Sequence, residues 1–178
     1  MNASVFIATS ADGFIARPDG AIDWLPHENV EDHGFSEFFD SVDALVMGRG
    51  TFETVAGFGK WPYDKKRVVV LSSRPLDLSI AGDAPVQQMS GEPAGIAASL
   101  SEQGVKHIYV DGGVTIQRFL RAGLIQRLII TQIPVLIGKG IPLFGELAED
   151  VRLRHVATRT FPSGLVQTEY TVNAVNPL

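Results

Sequence analysis

The sequence predicts an α/β protein whose sheet is mostly parallel and turns antiparallel at its C-terminal edge. Three observations predict it. Short β-branched runs alternate with helical patterns as far as residue 122, the alternation that builds parallel βαβ units with right-handed crossovers. Three strand-like runs then follow with no helical pattern between them, which argues for antiparallel pairing. Small or polar clusters close three of the early strands, where an open α/β sheet turns toward its next helix.

Each element has its own signal. Residues 3–9, rich in Val, Ile and Phe, read as a buried strand. Asp12-Gly13 and Pro18-Asp19-Gly20 are turn signals on either side of Phe14, Ile15 and Ala16. Phe35, Phe38, Phe39 and Val42 recur at i, i+3, i+4 and i+7, one apolar face of a helix. Residues 44–47 form a second buried strand, ending in Gly48-Arg49-Gly50, and residues 51–56 a short helix. Residues 67–71 form a third strand, ending at Ser72-Ser73-Arg74-Pro75, and residues 85–89 a short fourth. Pro93 sits near the first turn of a helix over residues 93–103, with Ile96 and Leu100 one turn apart. Residues 107–110 are a strand leading to Asp111-Gly112-Gly113, and residues 114–122 a helix with Ile116, Phe119 and Leu120 on one face. Residues 127–133, 152–160 and 165–172 are the closing strands, separated by loops at Gly138-Lys139-Gly140 and Pro162-Ser163-Gly164.

Composition narrows the function. At 178 residues and 45% hydrophobic content the chain suits one domain, residues 1–178, with a core of its own. A net charge of −5 disfavours nucleic-acid and membrane-surface partners, which draw on basic excess. With no cysteine there is no disulfide, thiol nucleophile or cysteine-bound zinc. No leader pattern or membrane-length apolar run is seen, so a cytoplasmic location is the expectation. His27 and His33 are six residues apart, on opposite sides of a helix, so no metal site is expected.

The clusters at the strand ends carry the chemistry. Gly48-Arg49-Gly50-Thr51, Ser72-Ser73-Arg74 and Asp111-Gly112-Gly113 stand where ligands bind in open α/β sheets. Free N–H groups at a helix start attract phosphate, and glycine lets a ligand approach the backbone. Arginines and hydroxyls there add charge-assisted and neutral hydrogen bonds. The same residues also suit ordinary βα turns. Asp111 is either a turn residue or a polar contact inside a site. Glu31 extends the Phe35 stripe at i−4 and Asp32 borders it at i−3. A carboxylate there either relays a proton or meets the helix dipole. The Gly-x-Gly-x-x-Gly, Walker and Gly-x-Ser-x-Gly motifs are all absent.

Taken together these segments resemble a known superfamily. Val46-Met47-Gly48-Arg49-Gly50-Thr51-Phe52-Glu53 looks like the Met-Gly-Arg-x-Thr-aromatic-Glu segment of dihydrofolate reductases. The strand ending in Ser72-Ser73 and the Asp111-Gly112-Gly113 turn resemble their counterparts there. The Ser10–Ala16 loop, residues 119–124 and residues 134–144 are closer to the reductase domain of the riboflavin-biosynthesis deaminase-reductase. The resemblance implies a three-layer, dihydrofolate-reductase-like fold with helices on both faces, NADPH as cofactor, and a homodimer for which the antiparallel edge supplies the interface.

It also implies site residues. Ala8, Gly13 and Ile15 would border the nicotinamide. Gly48, Arg49, Gly50 and Thr51 would meet the phosphates. Leu71, Ser72, Ser73 and Arg74 would lie near the adenosine phosphate. Asp111, Gly112, Gly113, Val114 and Thr115 would cradle the diphosphate. Counting back from Met47 puts the folate-type catalytic acid at Asp32, and the helix face points to Glu31. Val55 stands where riboflavin reductases often carry an aspartate. The implied function is NADPH-dependent reduction of a small heterocyclic substrate, similar to the 5-amino-6-(5-phosphoribosylamino)uracil reductase step. The alternatives are dihydrofolate-reductase-type activity or a non-catalytic nucleotide-binding or dimerisation protein.

Overall fold

Val68, Val69 and Val70 follow one another in sequence and are all fully buried. Successive strand residues point to opposite faces, so this strand must be covered on both sides. The computed structural model, which describes residues 1–26 and 32–172, has that three-layer arrangement. In chain order its elements are β1 (Asn2–Ser10), β2 (Phe14–Ala16), α1 (Phe35–Asp40), β3 (Ala44–Gly48), α2 (Arg49–Ala56), β4 (Arg67–Leu71) and β5 (Val86–Met89). Then come α3 (Pro93–Glu102), β6 (His107–Asp111), α4 (Gly113–Arg121), β7 (Arg127–Ile133), β8 (Ile141–Pro142), β9 (Leu153–Thr160) and β10 (Val166–Val172).

Eight strands form one sheet in the order β5-β4-β3-β6-β1-β7-β10-β9. The pairs from β5 to β7 are parallel, and β10 is antiparallel to both β7 and β9. α1 and α2 lay Phe38 and Phe52 on one face, over Leu45, Met47 and Val70. α3 and α4 lay Ile96, Leu100, Ile116 and Phe119 on the other, over Ala44, Val46 and Val69. The mostly parallel sheet with an antiparallel C-terminal edge is the one the sequence predicts.

Three local details differ from the sequence reading. α2 begins at Arg49, not Thr51, because Gly48 stays extended (φ −81°, ψ 167°) and the chain turns helical at once. Arg49 and Gly50 are therefore first-turn residues. α1 ends at Asp40, where the Ser41 hydroxyl donates to the Phe38 carbonyl at 2.6 Å, so Val42 packs from outside the helix. β8 was not anticipated; it pairs with β2 in a small antiparallel ribbon apart from the main sheet.

The sheet is divided at its centre. β1 pairs with β6 only from Asn2 to Ser4, whereas its pairing with β7 runs on to Ser10. Beyond that point β1 and β6 part. The Tyr109 hydroxyl crosses the gap and donates to the Phe6 carbonyl at 2.8 Å. The helices that follow these neighbouring strands, α1 and α4, lie on opposite faces, which makes the gap a topological switch point. At the far edge, β9 is exposed along most of its length, and its arginines and a bulge opposite Glu169/Tyr170 suit an unpaired edge strand. Among the described residues no helix is long and apolar enough to cross a membrane.

Candidate active site

The parting of β1 and β6 opens a cavity of about 540 Å³, within the usual range for small-ligand sites. Ile7 and Ala8 of β1 line one side and Asp111, the last residue of β6, the other. Ile15 comes from β2 and Ile22 from the segment after it, and Val55, Phe58 and Tyr63 come from α2 and the segment after it.

Two strand-to-helix turns meet at this cavity and interlock. Thr51 of α2 sits against the Gly112 backbone, and Thr115 of α4 against Gly48. A Cβ at Gly48 would lie 2.9 Å from the Thr115 hydroxyl. A Cβ at Gly112 would run into the Thr51 hydroxyl, and Gly112 also has a φ of +89°, a conformation natural to glycine alone. The close fit brings the starts of α2 and α4 onto one wall. Their first-turn N–H groups have no partner within the helix, so both are suited to an anion.

A second cavity of about 430 Å³ adjoins the first and shares Arg49, Leu71 and Arg118 with it. Its wall is polar: Ser72, Ser73 and Arg74 after β4, and Ser90, Gly91 and Glu92 after β5. Arg49 braces this wall. It donates to the Ser72 hydroxyl (3.0 and 3.1 Å), to the Arg74 and Pro75 carbonyls (2.8 Å each) and to Glu53 (3.2 Å). Arg118 donates to the Gly91 carbonyl at 2.9 Å and pairs with Glu92 at 3.3 Å. Arg74 is exposed at the rim.

Asp111 is the carboxyl of the larger cavity. Its Oδ1 accepts from the Gly112 N–H at 2.7 Å. Desolvation among the strand ends nevertheless pushes its pKa up to about 6, the Gly112 bond only partly opposing the shift. Tyr63 and Tyr109 are pushed upward as well, first by burial and then by the Asp111 charge.

A family model, the RibD C-terminal domain, matches residues 3–167. The chain belongs to the RibD C-terminal domain family. It is a family of NAD(P)H-dependent reductases. The uncharacterised protein YwjB of Bacillus subtilis (strain 168) is 36% identical over 169 residues, covering 93% of this chain and 95% of its own. A crystal structure of a Shewanella sp. PV-4 protein, named provisionally for riboflavin biosynthesis, superposes with a TM-score of 0.90 at 41% identity, covering 97% and 99% of the two chains. Dihydrofolate reductase from Enterococcus faecalis, complexed with NADP(H) and RAB-propyl, superposes with a TM-score of 0.67 at 20% identity over 97% and 96% of the chains. That last likeness gives the fold, which is dihydrofolate-reductase-like.

Within this RibD-type domain most of the sequence-predicted residues come together. Ala8, Ile15, Gly48, Arg49, Gly50, Thr51, Leu71, Asp111, Gly112, Gly113, Val114 and Thr115 line the larger cavity, and Ser72, Ser73 and Arg74 the smaller. Gly13 stands off both walls. It supplies the turn, at φ +85°, beside Asp12, whose carboxylate accepts the Gly138 and Ile137 N–H groups at 2.7 and 3.3 Å. Asp32, expected as a catalytic acid, is not brought together with the cavity residues. It is exposed, lies outside both cavities and caps α1, accepting from the Ser36 N–H at 3.1 Å and the Ser36 hydroxyl at 2.6 Å. Those bonds, the Ser36 hydroxyl first, hold its pKa below 3.8. Glu31, the other expected acid, lies outside the described residues.

Sequence reasoning missed Tyr63, Phe58 and Arg118. Arg118 had a usable signal, since it is one turn past Val114 on the same face of α4. Phe58 and Tyr63 fall in an irregular stretch with no periodicity to read.

Proposed function

We propose that this protein is an NADPH-dependent reductase of small heterocyclic carbonyl or imine compounds, with Asp111 as the proton donor. The observation that carries the reading is Asp111 itself: a desolvated carboxyl on the wall that both glycine turns also line. The fit to a dinucleotide rests on the same turns. At Gly48 and Gly112 any side chain would fill the space beside Thr51 and Thr115 and push the two helix starts apart. The starts of α2 and α4 would receive the diphosphate, and Ser72, Ser73 and Arg74 the adenosine phosphate. Ala8 and Ile15 would border the nicotinamide ring. Related proteins support this assignment, since the Enterococcus dihydrofolate reductase of the same fold binds NADP(H).

When bound, the dihydronicotinamide supplies the hydride, and the protein supplies position, exclusion of water and the proton. Asp111 suits the last role because its pKa of about 6 keeps a protonated fraction near neutral pH. The sign follows directly. The active form carries the proton, so kcat/KM falls as pH rises through about 6. Fluorescence titration with NADPH and NADH tests the cofactor assignment. Saturable binding with NADPH preferred is expected; no binding of either cofactor would remove the reductase reading.

A further inference from the structure

We propose that the substrate of this site is an uncharged, flat heterocyclic carbonyl compound and not a phosphorylated one. The proposal rests on the reductase reading above and adds the chemistry of the second ligand. Besides the glycine turns, the cavity is lined by Ile7, Ile22, Leu25, Val55 and Phe58. Polar groups along this wall are few. The Thr54 hydroxyl already donates to the Gly50 carbonyl at 3.1 Å, which leaves Tyr63 and Asp111 to face a ligand.

A phosphate needs cations or a bank of free donors. Among the described residues only Arg49 and Arg118 bring a basic side chain to this cavity, and both stand where it joins the smaller one. Arg49 is held by Ser72, two carbonyls and Glu53, and Arg118 by Gly91 and Glu92. Arg17 is tied to Asp23 at 2.5 Å and lies off the wall. Lys60 is exposed and also off the wall. Residues 27–31 contain two glutamates and no lysine or arginine. A phosphoryl group against this apolar wall would give up water to aliphatic side chains and face a carboxyl, with a single phenol hydroxyl, that of Tyr63, as donor and no free cation in return. A neutral ring would exchange water for apolar contact and present its carbonyl to Asp111.

The step balances. The carbonyl carbon gains a hydride from NADPH as the C–O π bond breaks, and the oxygen takes the proton from Asp111. The products are the alcohol and NADP⁺, and Asp111 is reprotonated from solvent.

The test uses the full chain with NADPH and a matched pair of probes, isatin and isatin-5-sulfonate, followed by loss of NADPH fluorescence. The sulfonate withdraws electrons and makes its carbonyl the more electrophilic, so intrinsic reactivity works against the expected result. Isatin should be turned over with kcat/KM at least about tenfold higher, the order of effect of one unpaired charge in an apolar site. Phe58→Lys, a substitution at an exposed wall position, should bring the two probes to within about twofold of each other. Lys60→Ala should leave the ratio unchanged. Equal or better turnover of the sulfonate by the native protein, or no turnover of either probe while NADPH binds, overturns the proposal. Failure to bind NADPH overturns the cofactor reading instead, and the titration shows which of the two has failed.

Discussion

The two adjoining cavities share Arg49, Leu71 and Arg118 yet differ in chemistry. The smaller is framed by serines, Arg74 and Glu92 after β4 and β5, with Arg49 of α2 bonded to Ser72 and Arg118 of α4 paired with Glu92. The larger is framed by aliphatic and aromatic side chains around Asp111. Under the proposed reading, the contrast separates the places of two ligand halves. Polar turns after the outer strands would suit an anion, whereas the gap between β1 and β6 sets a mostly apolar wall around a buried carboxyl that keeps its proton to higher pH.

The sharpest way to break this contrast is Asp111→Asn. It should lower kcat by about 100-fold or more and leave the NADPH dissociation constant within about twofold. An unchanged kcat would place the proton donor elsewhere. The same variant reports on stability. Because the folded pKa is about 6 against 3.8 unfolded, the native protein loses stability as pH rises between those values, by up to about 3 kcal/mol. Urea melts of Asp111→Asn should lack that slope and show a gain above pH 6.

Next in size is Gly112→Ala, which strikes the joint that both cavities depend on. Its positive φ and the Thr51 hydroxyl both oppose a side chain, so a loss of about 2–4 kcal/mol is expected. Thr51→Ala on that background should recover part of the loss by removing the clash but not the backbone strain. Equilibrium denaturation measures both.

Arg74→Ala sharpens the comparison from the polar side. It should weaken NADPH by about tenfold and NADH by less than about twofold, read by fluorescence titration. An equal effect on both would separate Arg74 from the additional phosphate. The smallest effect is expected for Asp32→Ala, which touches neither cavity. Tm should fall slightly through loss of the α1 cap while kcat/KM stays within about twofold. A large loss of kcat/KM would return Asp32 to the catalytic list.

The strand-end part of the site was legible before the structure because its residues are short segments at strand ends. Gly48–Thr51, Ser72–Arg74 and Asp111–Thr115 each sit at a boundary that the hydrophobic pattern marks. Much of the remaining cavity wall was not legible for the opposite reason. Leu25, Phe58 and Tyr63 come from segments with different roles in the chain, and only the packed fold gathers them. Asp32 was singled out because its distance from Met47 matches the folate pattern; in the fold its side chain satisfies the local N–H and hydroxyl of Ser36 and stands apart from both cavities.

By itself the sequence determined the order of the main-sheet strands and their helices, the antiparallel C-terminal edge and the strand-end clusters, because periodicity and turn chemistry act over a few residues. The tertiary structure decided that β1 parts from β6 after Ser4, that Thr51 and Thr115 lock the two glycine turns together, and that Asp111 is the carboxyl the cavity holds. Those facts depend on which strands become neighbours and on how much water the packing removes around one carboxyl, and neither is a property of any short segment.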